Sequence, residues 1–320
     1  MRCHTCGDET SPSDNECQNC YTPHGQPALT QGVPTYSVRG IGLAASIAVG
    51  ATALLYLVVA LFPLVGAVLA GRARESQDPD VLLGAVLVEV VLSLPFLLAY
   101  VAAAVLVIVW TWRARKNLDA FPGALPHLGA GWAIAGWLVP FANFVVPARV
   151  VANLARDSLW KRFTPGLVFV WWVAWLAFSL GERFVSRRDD QAYARLPEDP
   201  ASDPEFQRYV DYYQGVLGWH LVPLVACLVA AVSLIVLIRR ISTAQEQRIA
   251  LGRPAWPAHP GWPTPGAPQG YPYPAQPVTG PPPQGYAYPA QPVTGPPPGV
   301  TDSTVASPQV PPGAGGTIGA

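Results

Sequence analysis

The chain reads as an all-α integral membrane protein, a helical bundle of four spans plus one broken segment, with a small cysteine-bearing module in front and a disordered tail behind. Three observations predict this. Two apolar runs, 41–70 and 81–110, each exceed the roughly 20 residues with which a helix crosses about 30 Å of hydrocarbon. Two C-x-x-C pairs stand near the N-terminus. Most of the 36 prolines lie beyond Arg253, where Asp302 is the only charge.

The N-terminal module occupies 1–24. Cys3-His-Thr-Cys6-Gly7 and Cys17-Gln-Asn-Cys20 leave ten residues between the two pairs. Each C-x-x-C turn points two thiolates at one ion, Gly7 permits the tight turn after the second cysteine, and two such turns complete the tetrahedral four-thiolate set that zinc favours. Four protein ligands leave no open position, so the expected metal, bound by Cys3, Cys6, Cys17 and Cys20, is structural zinc. Disulfides are the competing reading, against which stands the lack of a signal-peptide pattern before Ile41. His4 and His24 are expected to be bystanders, and Cys227, inside an apolar run, a small packing residue. The module is similar to the minimal zinc ribbons at the N-termini of many bacterial membrane proteins. A linker, 25–40, joins it to the membrane domain, 41–253.

Within that domain the expected spans are 41–70, 81–110, 166–185 and 216–238, with 129–147 in question. That segment barely reaches spanning length and carries Pro140 and Asn143, with Pro147 following at once. Prolines remove helix hydrogen bonds and the asparagine brings an amide that lipid cannot satisfy. Charge decides between the two topologies, because short basic loops stay cytoplasmic. With an internal N-terminus and a segment that returns to its own side, the cytoplasm holds 13 of the Lys and Arg residues and the exterior 7; a spanning segment gives 10 and 10. A re-entrant or interfacial segment, both ends cytoplasmic and a plasma-membrane location are therefore expected. The tryptophans Trp110, Trp112, Trp132, Trp137, Trp171, Trp172, Trp175 and Trp219 fall near the predicted boundaries, where indoles form belts, although Trp171 and Trp175 lie one turn apart and suit helix packing equally. Gly42, Ser46 and Gly50 offer a small face for close helix approach. The stretch 189–211 reads as an exterior acidic loop with a short helix from Pro204.

The tail, 254–320, repeats a 15-residue unit: 269–283 returns at 284–298 with one change, Pro272 to Ala287. Proline and glycine with little aliphatic surface predict disorder with polyproline II bias. Tyr271, Tyr273, Tyr286 and Tyr288 are its candidate contacts for partners.

The polar centre runs from Trp110 to Lys161. Trp112-Arg-Ala-Arg-Lys-Asn117, Gly136-Trp-Leu-Val-Pro140-Phe-Ala-Asn143 and Pro147-Ala-Arg149-Val-Val follow one another. In these elements the chain resembles the actinobacterial membrane family catalogued as domain of unknown function 4328, over roughly 81–238. Ala148 stands where many relatives have an aromatic residue, and Asn153-Leu-Ala155 where they have Asp-Leu-Trp. The resemblance implies architecture and no substrate. From Pro147 onward Arg149, Asn153, Arg156 and Trp160 fall on one helix face and Val150, Val151, Leu154 and Leu159 on the other, the pattern of an amphipathic interfacial helix. With Arg113, Arg115 and Lys116 it makes a basic collar, read either as a positive-inside anchor or as a contact for anionic lipid or phosphorylated ligand.

No H-E-x-x-H, Walker A loop, Gly-x-Ser-x-Gly elbow or paired intramembrane aspartates occur, and neither an enzymatic activity nor a nucleic-acid partner is expected. Two functions fit. One is a membrane-anchored scaffold or sensor whose zinc ribbon and tail recruit cytoplasmic proteins. The other is a small transporter or channel using Asn143, the broken segment and Glu89, the one carboxylate well inside a strong span, with His220 near the outer end of the last one.

Overall fold

The computed structural model describes residues 1–3, 7–19, 24–25, 27–161 and 163–252. Cys6, Cys20, His4 and the tail, 254–320, lie outside the described residues. Four helical stretches are long and apolar enough to cross a membrane: Arg39–Ser76, Asp80–Leu118, Gly166–Tyr193 and Asp203–Gly252. The all-helical architecture with four apolar helices of spanning length, read from hydropathy, is the one observed.

The first stretch is bent into α1 (Arg39–Ala60) and α2 (Phe62–Ser76). Pro63, in the first turn of α2, has no N–H to continue the ladder and its ring crowds the preceding turn. Glu246 starts α1, its Oε1 accepting from the backbone N–H groups of Val38 and Arg39 at 2.8 and 3.1 Å. Gln77 ends α2 in the left-handed region with its N–H on the Ala73 carbonyl. Helix α3 (Asp80–Leu118) follows after three residues and passes through Pro95 without breaking.

Next comes a hairpin. A short helix α4 (Trp132–Leu138), a 3₁₀ turn (Ala142–Phe144) and α5 (Val146–Ser158) fold back on themselves, with Val146 packed where a side chain on Gly136 would have to stand. Both ends of the hairpin lie at one end of the bundle. Leu128, before α4, accepts from Arg115 Nε at 2.7 Å, and Ser158, at the end of α5, accepts from Gln245. The turn reaches the level of Tyr100, with which Asn143 shares a cavity. Tyr100 precedes Ala114 by 14 residues, about 21 Å along α3, so α5 climbs about that far along the bundle. The amphipathic pattern of α5 thus has a different cause from the one expected. Instead of lying flat on an interface, it buries Val150, Val151 and Leu154 against α3, α6 and α7 as the returning limb of the hairpin.

Helices α6 (Gly166–Tyr193) and α7 (Asp203–Gly252) both run beyond the expected spans, and only residues 194–202 separate them. The stretch 189–211 is therefore mostly helix, and the expected short helix from Pro204 is the first turn of α7. Glu205 Oε2 accepts from the N–H groups of Ala201 and Ser202 at 2.8 and 3.1 Å, which fixes where α7 begins. Outside the apolar stretch, the Arg74 guanidinium holds the Asp203 carboxyl below the usual carboxylate range through a two-pronged contact at 2.7 and 2.9 Å.

Small residues set the closest approaches, as the Gly42–Ser46–Gly50 pattern implies for its first member. A Cβ on Gly42 would come within 2.7 Å of Ser242 Oγ and 3.2 Å of Trp110 Cδ1, whereas one on Gly50 would meet Ile235 at an ordinary 3.9 Å. Gly66, not singled out by the sequence pattern, lets the Tyr213 ring lie directly on α2.

Candidate functional site

Two polar constructions stand out in the apolar bundle. The first closes the end where α3, α5 and α7 meet. Asn117 and Gln245 are completely buried there. Asn117 Oδ1 accepts from Tyr36 N–H at 2.7 Å, and its Nδ2 donates to the Tyr36 carbonyl and to Gln245 Oε1, both at 2.9 Å. Gln245 Nε2 donates to the Ala114 carbonyl at 3.0 Å and to Ser158 Oγ at 2.9 Å. Two carboxamides thereby tie the linker, α3, α5 and α7 into one unit. One turn along, Trp110 Nε1 donates to Ser242 Oγ at 2.9 Å. Trp110 is fully buried and is a core residue, where a boundary belt was expected.

The same end carries the cysteine module. Cys3 and Cys17 are buried together, with Trp160 packed against them. Gly7 N–H donates to the Cys3 carbonyl at 2.9 Å with Gly7 at φ +80°, the tight turn that the C-x-x-C-Gly spacing requires. Trp160 leaves the helical face assigned to it: it adopts φ +53° just past the end of α5 and turns its ring onto Arg248, whose Cζ lies 4.1 Å from the ring centroid. Arg248 in turn donates to the carbonyls of Ala28 at 3.0 Å and Pro122 at 2.7 Å. His24 contacts Thr10 Oγ1 at 3.1 Å.

The basic collar is not assembled as expected. Arg115 is buried, its Nε on the Leu128 carbonyl and its Nη1 2.7 Å from Asp119. Arg156 pairs with Asp157 at 2.8 Å and reaches the Leu125 carbonyl. Both guanidiniums are spent on holding the 119–131 connection in place. Arg113, Lys116 and Arg149 pair with no carboxylate among the described residues, and Asn153 is half-buried on α5.

The second construction is a cavity in the middle of the bundle. Its inner chamber, of about 300 Å³, is bounded by α1, α3, α6, α7 and the hairpin, and none of its lining side chains is charged. Small residues such as Ala53, Ala103, Ala230 and Ala231 make the space, while Trp137, Trp171 and Trp175 wall it. Trp175 stacks on Trp172 at 4.8 Å and meets Trp137 edge-on at 5.7 Å, so these indoles pack within the bundle. An outer chamber of about 520 Å³ shares Tyr100, Asn143, Trp175 and Phe178 with the inner one and adds Ser179, Glu182 and Arg183. Asn143 and Trp171, which line the inner chamber, and Ser179, which lines the outer, each carry a polar atom (Oδ1, Nε1 and Oγ) that is buried without a hydrogen-bond partner. Each such group costs about 1–3 kcal/mol. The hairpin turn that delivers Asn143 holds Phe141 at φ +64°, a conformation that a bulky side chain rarely adopts.

Glu89 is elsewhere. It is exposed on α3 and lines neither chamber, so the Asn143–Glu89 pair is not brought together. The carboxylate at the cavity is Glu182, which accepts from the Tyr56 hydroxyl. His220 is paired with Asp189 at 2.7 Å. Cys227 is buried and lines the inner chamber, in keeping with a small packing residue.

The model of the family described as Domain of unknown function (DUF4328) matches residues 73–243. The chain belongs to the DUF4328 family. The DUF4328 match takes in α3, the hairpin and α6, and ends within α7, two residues before Gln245. Most of the cavity lies within it, whereas the cysteine module and α1 precede it. No curated protein and no solved structure matches the chain.

Proposed function

We propose that this DUF4328 protein is a membrane-anchored scaffold or sensor that presents a zinc ribbon and a proline-rich tail on the cytoplasmic face of the plasma membrane. One observation carries the reading: Trp160 stands between the buried Cys3–Cys17 pair and Arg248, so the module is attached to the bundle end instead of hanging free on its linker. Cys3 and Cys17 fit two of the four thiolate positions, and Cys6 and Cys20 supply the others. Zinc bound there closes the fold of a module too small to have a core of its own. Partners are cytoplasmic proteins that read the ribbon surface or the tyrosine-bearing repeats, and Arg113, Lys116, Arg149 and Lys161 anchor that end against anionic headgroups.

The alternative, a transporter, draws support from the hairpin and the cavity but not from Glu89. Affinity capture of the full-length protein from native membranes tests the scaffold reading against two variants, Cys17→Ser and truncation after Arg253. Cytoplasmic proteins recovered with the full chain should be lost selectively in one variant or the other. Recovery of the same set with both variants would contradict it.

A further inference from the structure

The inner chamber has a character that a scaffold does not require. Its walls are mostly apolar and carry no charge, its space is made by alanines on α1, α3 and α7, and two of its lining residues, Asn143 and Trp171, hold a buried polar atom without a partner. Those two atoms are complementary in kind: Asn143 Oδ1 accepts, and Trp171 Nε1 donates. A hydroxyl is the simplest neutral group able to serve both, since it donates one hydrogen bond and accepts others. A charged headgroup finds no counter-ion among the lining side chains and would be costly to desolvate there. Water is the competing partner for these two atoms, but it would leave the apolar remainder of the chamber unfilled. The chamber also lies near the middle of α3.

We infer that the inner chamber binds a neutral, hydroxyl-bearing amphiphile drawn from the bilayer. Its chain lies among Ala53, Ala103, Ala230 and Ala231, and its hydroxyl donates to Asn143 Oδ1. Asn143 sits on the turn of the re-entrant hairpin, and α5 runs from that turn to Trp160, so an occupant of the chamber touches the element that ends at the cysteine module. The inference goes beyond the scaffold reading and stands whether or not the ribbon or the tail recruits a partner.

The tryptophans of the wall supply the test. In lipid nanodiscs holding the full chain, 12-bromododecan-1-ol should quench the fluorescence of Trp137, Trp171 and Trp175 on contact. Two analogues are compared at equal mole fraction in the bilayer: 1-bromododecane, which lacks the hydroxyl, and 12-bromododecanoate, which carries a charge. The alcohol is expected to half-saturate the quenching at a mole fraction about five- to tenfold below the alkane, the worth of one satisfied buried hydrogen bond. Asn143→Leu should erase that preference while leaving alkane-level quenching, and Ala231→Phe, which fills the chamber, should remove the saturable component for every probe. Near-ultraviolet circular dichroism confirms that each variant is folded; if Ala231→Phe is not, Asn143→Leu alone decides. Equal quenching by alcohol and alkane in the native chain, a preference that survives Asn143→Leu, or dodecanoate acting as well as the alcohol would each overturn the inference. Quenching that Ala231→Phe leaves unchanged would mean that water serves the unpaired atoms, and would overturn it too.

Discussion

Replacing Asn117 with leucine is expected to destabilise the bundle by about 3 kcal/mol, read as a shift in the SDS unfolding midpoint of the protein in mixed micelles. Leucine matches asparagine in branching and in its number of heavy atoms, although its methyl groups are bulkier and add some overpacking at this completely buried position. What changes is that the Tyr36 N–H, the Tyr36 carbonyl and Gln245 Oε1 all lose a partner at once. Gln245→Leu should cost a similar amount, because it removes the bonds to Asn117 Nδ2, to the Ala114 carbonyl and to Ser158 Oγ. The double variant should fall short of the sum of the single losses, since each substitution removes the same Asn117–Gln245 bond. Additive losses would show that the two carboxamides act separately.

Substituting Cys17 with serine is expected to abolish stoichiometric zinc. Elemental analysis of the full chain, purified under reducing conditions, should find one zinc per chain in the native protein and well under half of that in Cys17→Ser, with Cys227→Ser retaining it. The effect is large because binding of structural zinc is of the order of 10–16 kcal/mol near neutral pH and depends on all four ligands. It should also be acid-sensitive, metal being released as protons compete for the thiolates. A native protein without zinc, or with a stable cysteine crosslink, would replace the metal reading with a disulfide one.

Hydropathy identified the four long helices because lipid demands continuous apolar helix, and that demand is written directly into composition. It missed where the helices end. Residues 239–252 look polar, yet Ile238, Ile241, Ser242, Gln245, Arg248 and Ile249 recur at helical spacing and are all buried. That periodicity, followed past the apolar run, is the signal that would have extended α7 and pointed to Gln245. That the segment around Pro140 and Asn143 does not form one continuous helix was readable from its prolines. The carboxylate near it was not, because Glu182 sits at the edge of its apolar run and only the tertiary packing brings it to Tyr56 on α1. Arg115 and Arg156 likewise resembled a collar in sequence, since the carbonyls of Leu128 and Leu125 that they hold are set by loop geometry alone.

The architecture on which both the scaffold reading and the chamber depend is a four-span bundle whose hairpin enters and leaves on one side. Impermeant thiol labelling in intact cells tests it most directly, with single cysteines at Lys161, Ala201 and Ser307 in a background lacking the native five. Lys161 follows the hairpin and is exposed, Ala201 lies in the exposed α6–α7 turn, and Ser307 belongs to the tail. Labelling of Ala201 alone is the predicted result. Labelling of Lys161 and Ser307 with Ala201 protected would contradict the account.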